Sequence, residues 1–298
     1  MKFSFTMGGG LGDYILRYLG FPGDRLARIH LACPNEVQLR VSSRIHPGMD
    51  LLANNPYFKD AIPYHEDRTG DWPQNQIDYI AGIRDYPKSS PRLWLNDQEE
   101  TILLSLKKPY AVFHPFAGGD HTKFSEIPRD LSAVFNTHEL AQWIADVMGL
   151  PLIVLGSEDF GYKSENVFQV KGSVRLSVRI VEQASAFVGA HSSMQCAAWV
   201  YGIPSLYIGP SELLFHNVYS PTNHKKYLRP MFANNNVFML YEQADQFAYF
   251  FEHFLRSATS LKGISLPAGR SSPGCLRKQD QPDMEMVRHL SFCNEYKL

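Results

Sequence analysis

The chain of 298 residues is 44% apolar and 20% charged, enough to bury one large core or two ordinary ones of roughly 150 residues each. Lys and Arg total 29 against 30 Asp and Glu, and a formal charge of −1 gives no overall attraction to nucleic acid or to an anionic membrane. No apolar run approaches the ~20 residues of a membrane span, the start runs from Met1-Lys2-Phe3 into glycines rather than into a leader's apolar stretch, and Cys33, Cys196, Cys275 and Cys293 show no C-x-x-C pairing; a soluble, unprocessed cytoplasmic protein with reduced cysteines is expected.

Residues 2–7 read as a strand, 8–13 as a glycine turn and 14–19 as an apolar-periodic helix. A second strand is expected over 28–33, and 50–62 reads as a helix stopped at Pro56 followed by a strand. Residues 67–91 turn polar and are broken by Pro73, Pro87 and Pro91, as in a long excursion, and a domain boundary is placed at 106/107. The alternation then becomes regular. Strands are expected at 110–114, 152–155, 186–189, 205–208 and 237–240, with helices at 138–148, 174–183, 193–201 and 243–256 between and after them. Short strands separated by helices of about ten residues argue for an α/β fold with a parallel sheet covered on both faces. Residues 263–282, rich in Gly, Ser and Pro, read as a loose tail before a short helix at 284–289.

Three loops carry chemistry. In Gly8-Gly9-Gly10-Leu11-Gly12-Asp13, Gly10 and Gly12 permit close backbone approach to a ligand, and Asp13 stands at a helix N-terminus, as a functional carboxylate or as a helix cap. The loop is not a dinucleotide fingerprint, because Asp13 occupies the third glycine position, and no G-x-x-x-x-G-K-[ST] occurs. In the second loop, a strand ending at His114 runs into small residues around Gly118 with one cation, Lys123, a set of donors suited to a diphosphate. In the third, a buried strand meets His191, Ser192 and Ser193 at the start of a helix, a second anion site or a simple cap. A hydrolase nucleophile elbow fails there, since G-x-S-x-G begun at Gly189 puts His191 at the nucleophile position. Ser157 and Glu158 follow a strand and suit ribose hydroxyls or an ordinary surface turn. His138-Glu139 is not followed by a second His at metalloprotease spacing, so neither a metal nor another cofactor is expected. The basic run His224-Lys225-Lys226 with Arg229 reads first as a solvated face.

Taken in order, Gly9 to Asp13, Asn55-Pro56-Tyr57-Phe58, His114-Pro115 with Lys123, Leu155-Gly156-Ser157 and the stretch 188–204 resemble the GT-B glycosyltransferases, in particular family nine, the heptosyltransferase-like group. The resemblance covers residues 2–255. It implies two Rossmann-like domains with parallel sheets facing a central cleft: an acceptor-side domain at 1–106, a nucleotide-sugar-binding domain at 107–260, and a tail at 261–298 crossing back to the first. It further implies a metal-independent transfer from a nucleotide-diphosphate sugar to a glycan or lipopolysaccharide-type hydroxyl, with Asp13 as general base. Lys123 and the Ser192-Ser193 helix start would hold the diphosphate, and Gly10, Gly12, His114, Gly118, Ser157, Glu158 and His191 would complete the donor site. Where the family has Asp, Gly and His, this chain has His191, Ser193 and Cys196. That departure keeps open a non-catalytic nucleotide- or glycan-binding module; among enzymes, transfer to modified DNA bases is a further alternative, which the charge balance disfavours.

Overall fold

The computed structural model describes residues 3–7, 11, 12, 15, 37–42, 62–64, 93–117, 130–156, 159–162, 164–210 and 236–258, with 261, 264 and 273 singly. They fall into two compact units, Met1–Leu106 with Gly172–Glu182, and Lys107–Lys171 with Gln183–Leu298.

The first unit holds a three-stranded parallel sheet in the order β1 (Phe3–Met7), β2 (Val37–Ser42), β3 (Ile62–Tyr64). Phe3 lies opposite Val37, and Arg40 opposite Ile62. The strand expected at 28–33 lies outside the described residues, and β2 is an element the sequence reading left out. Of the expected glycine turn, Leu11 and Gly12 are helical, and residues 8–10 and 13 lie outside the described residues. Helix α1 (Asp97–Ser105) begins in a capping box: Asn96 Oδ1 accepts from Glu99 N at 2.9 Å, and the Glu99 carboxylate accepts from Asn96 N at 2.9 Å. The same carboxylate, buried, accepts from Arg175 Nε at 2.8 Å and from the Ser173 hydroxyl, at the start of a second helix (Val174–Glu182) whose partner is α1. Burial pushes the Glu99 carboxyl up, but the bonds from Arg175, Ser173 and Asn96 and the guanidinium charge outweigh it and hold it below its ordinary value.

The second unit holds a six-stranded, wholly parallel sheet. Its strands are β4 (Ala111–His114), β5 (Leu152–Leu155), β6 (Val167–Val170), β7 (Ala186–Ala190), β8 (Ser205–Gly209) and β9 (Val237–Leu240). They stand side by side as β6-β5-β4-β7-β8-β9. The first three strands therefore build outward from β4 in one direction and the last three in the other. All residues of β5, β7 and β8 are buried, as expected of Val/Ile/Leu-rich parallel strands, whereas edge strand β6, with Phe168 and Gln169 in it, is partly open.

Numbering the helices in chain order, α2 is Thr137–Met148, α3 the Val174–Glu182 helix already met, α4 Ser193–Tyr201 and α5 Phe247–Ser257. Helices α2 and α4 both end on a left-handed glycine, Gly149 at φ +61° and Gly202 at φ +69°. Trp143 of α2 meets Phe247 and Phe251 of α5 edge-on at 5.3 and 5.1 Å, so these two helices share the core beside the sheet. The helix expected at 243–256 is split: Tyr241–Gln246 is a tight 3-10 segment and the α-helix begins at Phe247. The Gln243 side chain, accepting from Leu240 N at 3.0 Å, fixes that tighter entry.

Candidate functional site

Because strand order reverses at β4 and β7, the crevice beyond their carboxyl ends is the topological switch point, the place where open parallel sheets receive ligands. His114 is the last residue of β4 and lies in register with Gly189 of β7. A Cβ on Gly189 would sit 2.7 Å from the His114 carbonyl and 3.0 Å from the Phe187 ring, so a glycine is required for the two strands to end side by side. Two residues beyond β7, Ser192 caps α4 from extended backbone, its Oγ accepting from Gln195 N at 3.4 Å. His114 Nδ1 lies 2.8 Å from that same Oγ.

Burial lowers the His114 pKa to about 4, so the ring is neutral at pH 7, although the residue keeps a partly exposed edge. A neutral ring leaves two ways to share the proton. If Nδ1 is bare, it accepts the Ser192 hydroxyl proton. If Nδ1 carries the proton, Ser192 Oγ accepts from both His114 and Gln195 N, and the hydroxyl proton is left for an incoming acceptor. The first N–H groups of α4, with no intrahelical acceptors, converge on the same place. The arrangement presents hydrogen-bond donors and a helix's positive end without a formal cation among the atoms described, which suits an anion.

Two further features frame this point. Asp130 Oδ1 accepts from Ala117 N at 2.8 Å, and Leu131 N donates to Pro115 O at 2.9 Å, so the chain leaves the end of β4 and returns to the same place. On the β5 side, Phe116 stacks on Phe160 at 3.8 Å, and a Cβ on Gly156 would overlap the Phe160 ring. On the β8 side, His191 meets the buried Tyr207 ring edge-on at 5.5 Å.

Of the residues singled out from sequence, His114 and Ser192 are brought into contact, and His191 and Ser193 flank them, half-buried. Gly12 is helical and half-buried in the first unit. Gly10, Asp13, Gly118, Lys123, Ser157, Glu158 and the 224–229 run lie outside the described residues. Asp159, beside the expected ribose contacts, is exposed and pairs with Lys171 at 3.1 Å while accepting from Gly161 N. Cys196 is 9% exposed on α4, packed in rather than presented. Sequence reasoning missed Asp130, Phe116, Phe160 and Gln195; only their positions beside strand ends mark them. Among the described residues, no three His, Cys, Asp or Glu side chains group to hold a metal, and no helix is long and apolar enough to cross a membrane.

No protein-family model matches the chain, and no curated protein does. Among solved structures, the chain is similar to the E. coli ADP-heptose lipopolysaccharide heptosyltransferase II at 13% identity, covering 99% of this chain and 100% of that one, with a TM-score of 0.45. It is similar to a family-nine glycosyltransferase from Veillonella parvula DSM 2008 at 11% identity, 80% and 85% coverage and a TM-score of 0.47. For the E. coli heptosyltransferase WaaC with ADP, the values are 11%, 71%, 88% and 0.37.

Proposed function

We propose that the chain is a glycosyltransferase that binds a nucleotide-diphosphate sugar beyond β4 and β7 and transfers the sugar, without a metal, to a hydroxyl of a glycan or lipopolysaccharide-type acceptor. The observation that carries this reading is the 2.8 Å His114–Ser192 pair at the switch point, which aims neutral donors and the start of α4 at one place. Negative charge develops on the diphosphate as the bond from the anomeric carbon to its oxygen breaks. The α4 N–H groups, the Ser192 hydroxyl and Lys123 stabilise that charge with dipoles already in position. Asp13 takes the proton of the acceptor hydroxyl as its oxygen attacks the anomeric carbon.

A binding module without turnover is the second reading, favoured by Cys196, which stands where the resembled family has His and is packed in on α4. Both readings are tested by thermal shift against a panel of nucleotide sugars, since a ligand that binds only the folded chain raises its apparent stability by mass action. A raised melting temperature with some member of the panel is expected, and the absence of any shift overturns both. Release of nucleoside diphosphate in the presence of glycan acceptors then separates the enzyme from the module.

A further inference from the structure

The inner face of α4 carries a polar chain that the donor chemistry does not use. Gln195 is 1% exposed and Ser205 0%, at the start of β8. Gln195 Nε2 donates to Ser205 Oγ at 2.8 Å, and the Ser205 hydroxyl donates to Asn236 Oδ1 at 2.7 Å, immediately before β9. The other carboxamide atom, Gln195 Oε1, is sealed from solvent and has no partner among the described residues. Met194, Cys196, Ala197, Ala198 and Trp199 around it in α4 are buried and almost wholly apolar in character. An amide with an unmet carbonyl is costly there, and a methionine of nearly the same length would fill the volume without that cost. Packing therefore gives no reason for glutamine. Direction does: hydrogen bonds fix the rotation of a helix about its axis, which apolar contacts leave loose. Gln195 is also the residue whose main-chain N–H meets Ser192 Oγ, so the rotation it fixes is that of the cap.

We infer that Gln195 is a positioning residue: by tying the first turn of α4 through Ser205 to the entry of β9, it holds Ser192 Oγ within hydrogen-bonding reach of His114 Nδ1. The consequence for a ligand rests on the donor-site reading above, whereas the positioning itself does not.

The test uses the full chain with Gln195→Met, Ser205→Ala and the double variant, in which the buried amide and hydroxyl are both replaced by apolar groups and only the half-buried Asn236 Oδ1 loses a donor, so that most polar satisfaction returns without direction. The His114 imidazole nitrogens, assigned by their disappearance in His114→Gln, are followed by nitrogen-15 NMR. A displaced Nδ1 resonance is expected in Gln195→Met and in the double variant, with the double variant's melting temperature back near wild type. Ser205→Ala, which removes a single oxygen, keeps the test open if the longer change fails to fold. An unmoved Nδ1 resonance in the folded variants, or one that recovers together with stability in the double variant, overturns the inference. Calorimetry with ADP, GDP, UDP and CDP is the second arm. About ten-fold weaker binding is expected in all three variants, and affinity unchanged from wild type contradicts the proposed consequence. Failure of the wild type to bind any of the four overturns the donor-site reading, while the imidazole signal still decides the role of Gln195.

Discussion

At the scale of single residues, His114 couples the proposed site to pH. The folded chain holds this imidazole near 4 against about 6.5 unfolded, so between those values the unfolded chain binds more protons; the stabilisation is complete above about pH 6.5 and is lost as pH falls toward 4. The loss is on the order of 3 kcal/mol. His114→Gln should flatten this acid limb, as read from urea midpoints at pH 4.5 and 7; an equal pH slope in both proteins contradicts it. Asp13 is testable in the same way. Asp13→Asn retains a competent helix cap but no base, so transfer should fall by about 10²–10⁴-fold at nearly unchanged melting temperature, whereas a mere cap would leave turnover intact. Lys123→Ala should weaken nucleoside-diphosphate binding by about 1.5–3 kcal/mol in calorimetry, and equal affinity would remove it from the site. His114 and Ser192 were each legible in the sequence as strand-end and cap residues. Their contact was not, because they stand 78 positions apart and the order of the strands, which joins them, is not written in local periodicity.

At the scale of elements, two adjacent strands repeat one device. Phe187-Val188-Gly189 in β7 and Tyr207-Ile208-Gly209 in β8 each fold an aromatic ring over the glycine two residues on, which shares its face. A Cβ on Gly209 would meet the outer end of the Tyr207 side chain, with Cζ at 2.7 Å, whereas one on Gly189 would meet the His114 carbonyl, which is part of the sheet backbone. Gly209→Ala should therefore cost about 1–3 kcal/mol, and Gly189→Ala more, by urea denaturation; the reverse ranking would refute the account. Interior strand β5, edge strand β9 and helix α4 have the bounds their apolar runs suggest. Edge strand β6 escaped because Phe168 and Gln169 interrupt the apolar signal that burial on both faces produces. Helix α1 escaped because its apolar residues, Ile102, Leu103 and Leu104, run consecutively rather than marking one face; the spacing of Asn96 and Glu99 was the signal available.

At the scale of the molecule, the division of the chain is not a single cut. Helix α3 groups with residues from the first hundred, and Arg175 meets Glu99 across 76 positions. A fragment beginning at Lys107 would leave Arg175 buried or solvated without its carboxylate, an expensive change for a buried pair. Hydrogen exchange should show residues 173–182 protected in the whole chain and fast in the 107–298 fragment; equal protection would show that α3 needs nothing from the first unit. The return of the chain to the end of β4 has a different consequence. Because Ala117 N donates to Asp130 Oδ1 and Leu131 N donates to Pro115 O, the described residues on either side of positions 118–129 are held together at the end of β4. Closing a segment between fixed ends costs only about 0.6 kcal/mol for each doubling of its length. Changes in the length of chain between Ala117 and Asp130 are then cheap for the anchor at the end of β4, and the register of the sheet beneath stays as it is.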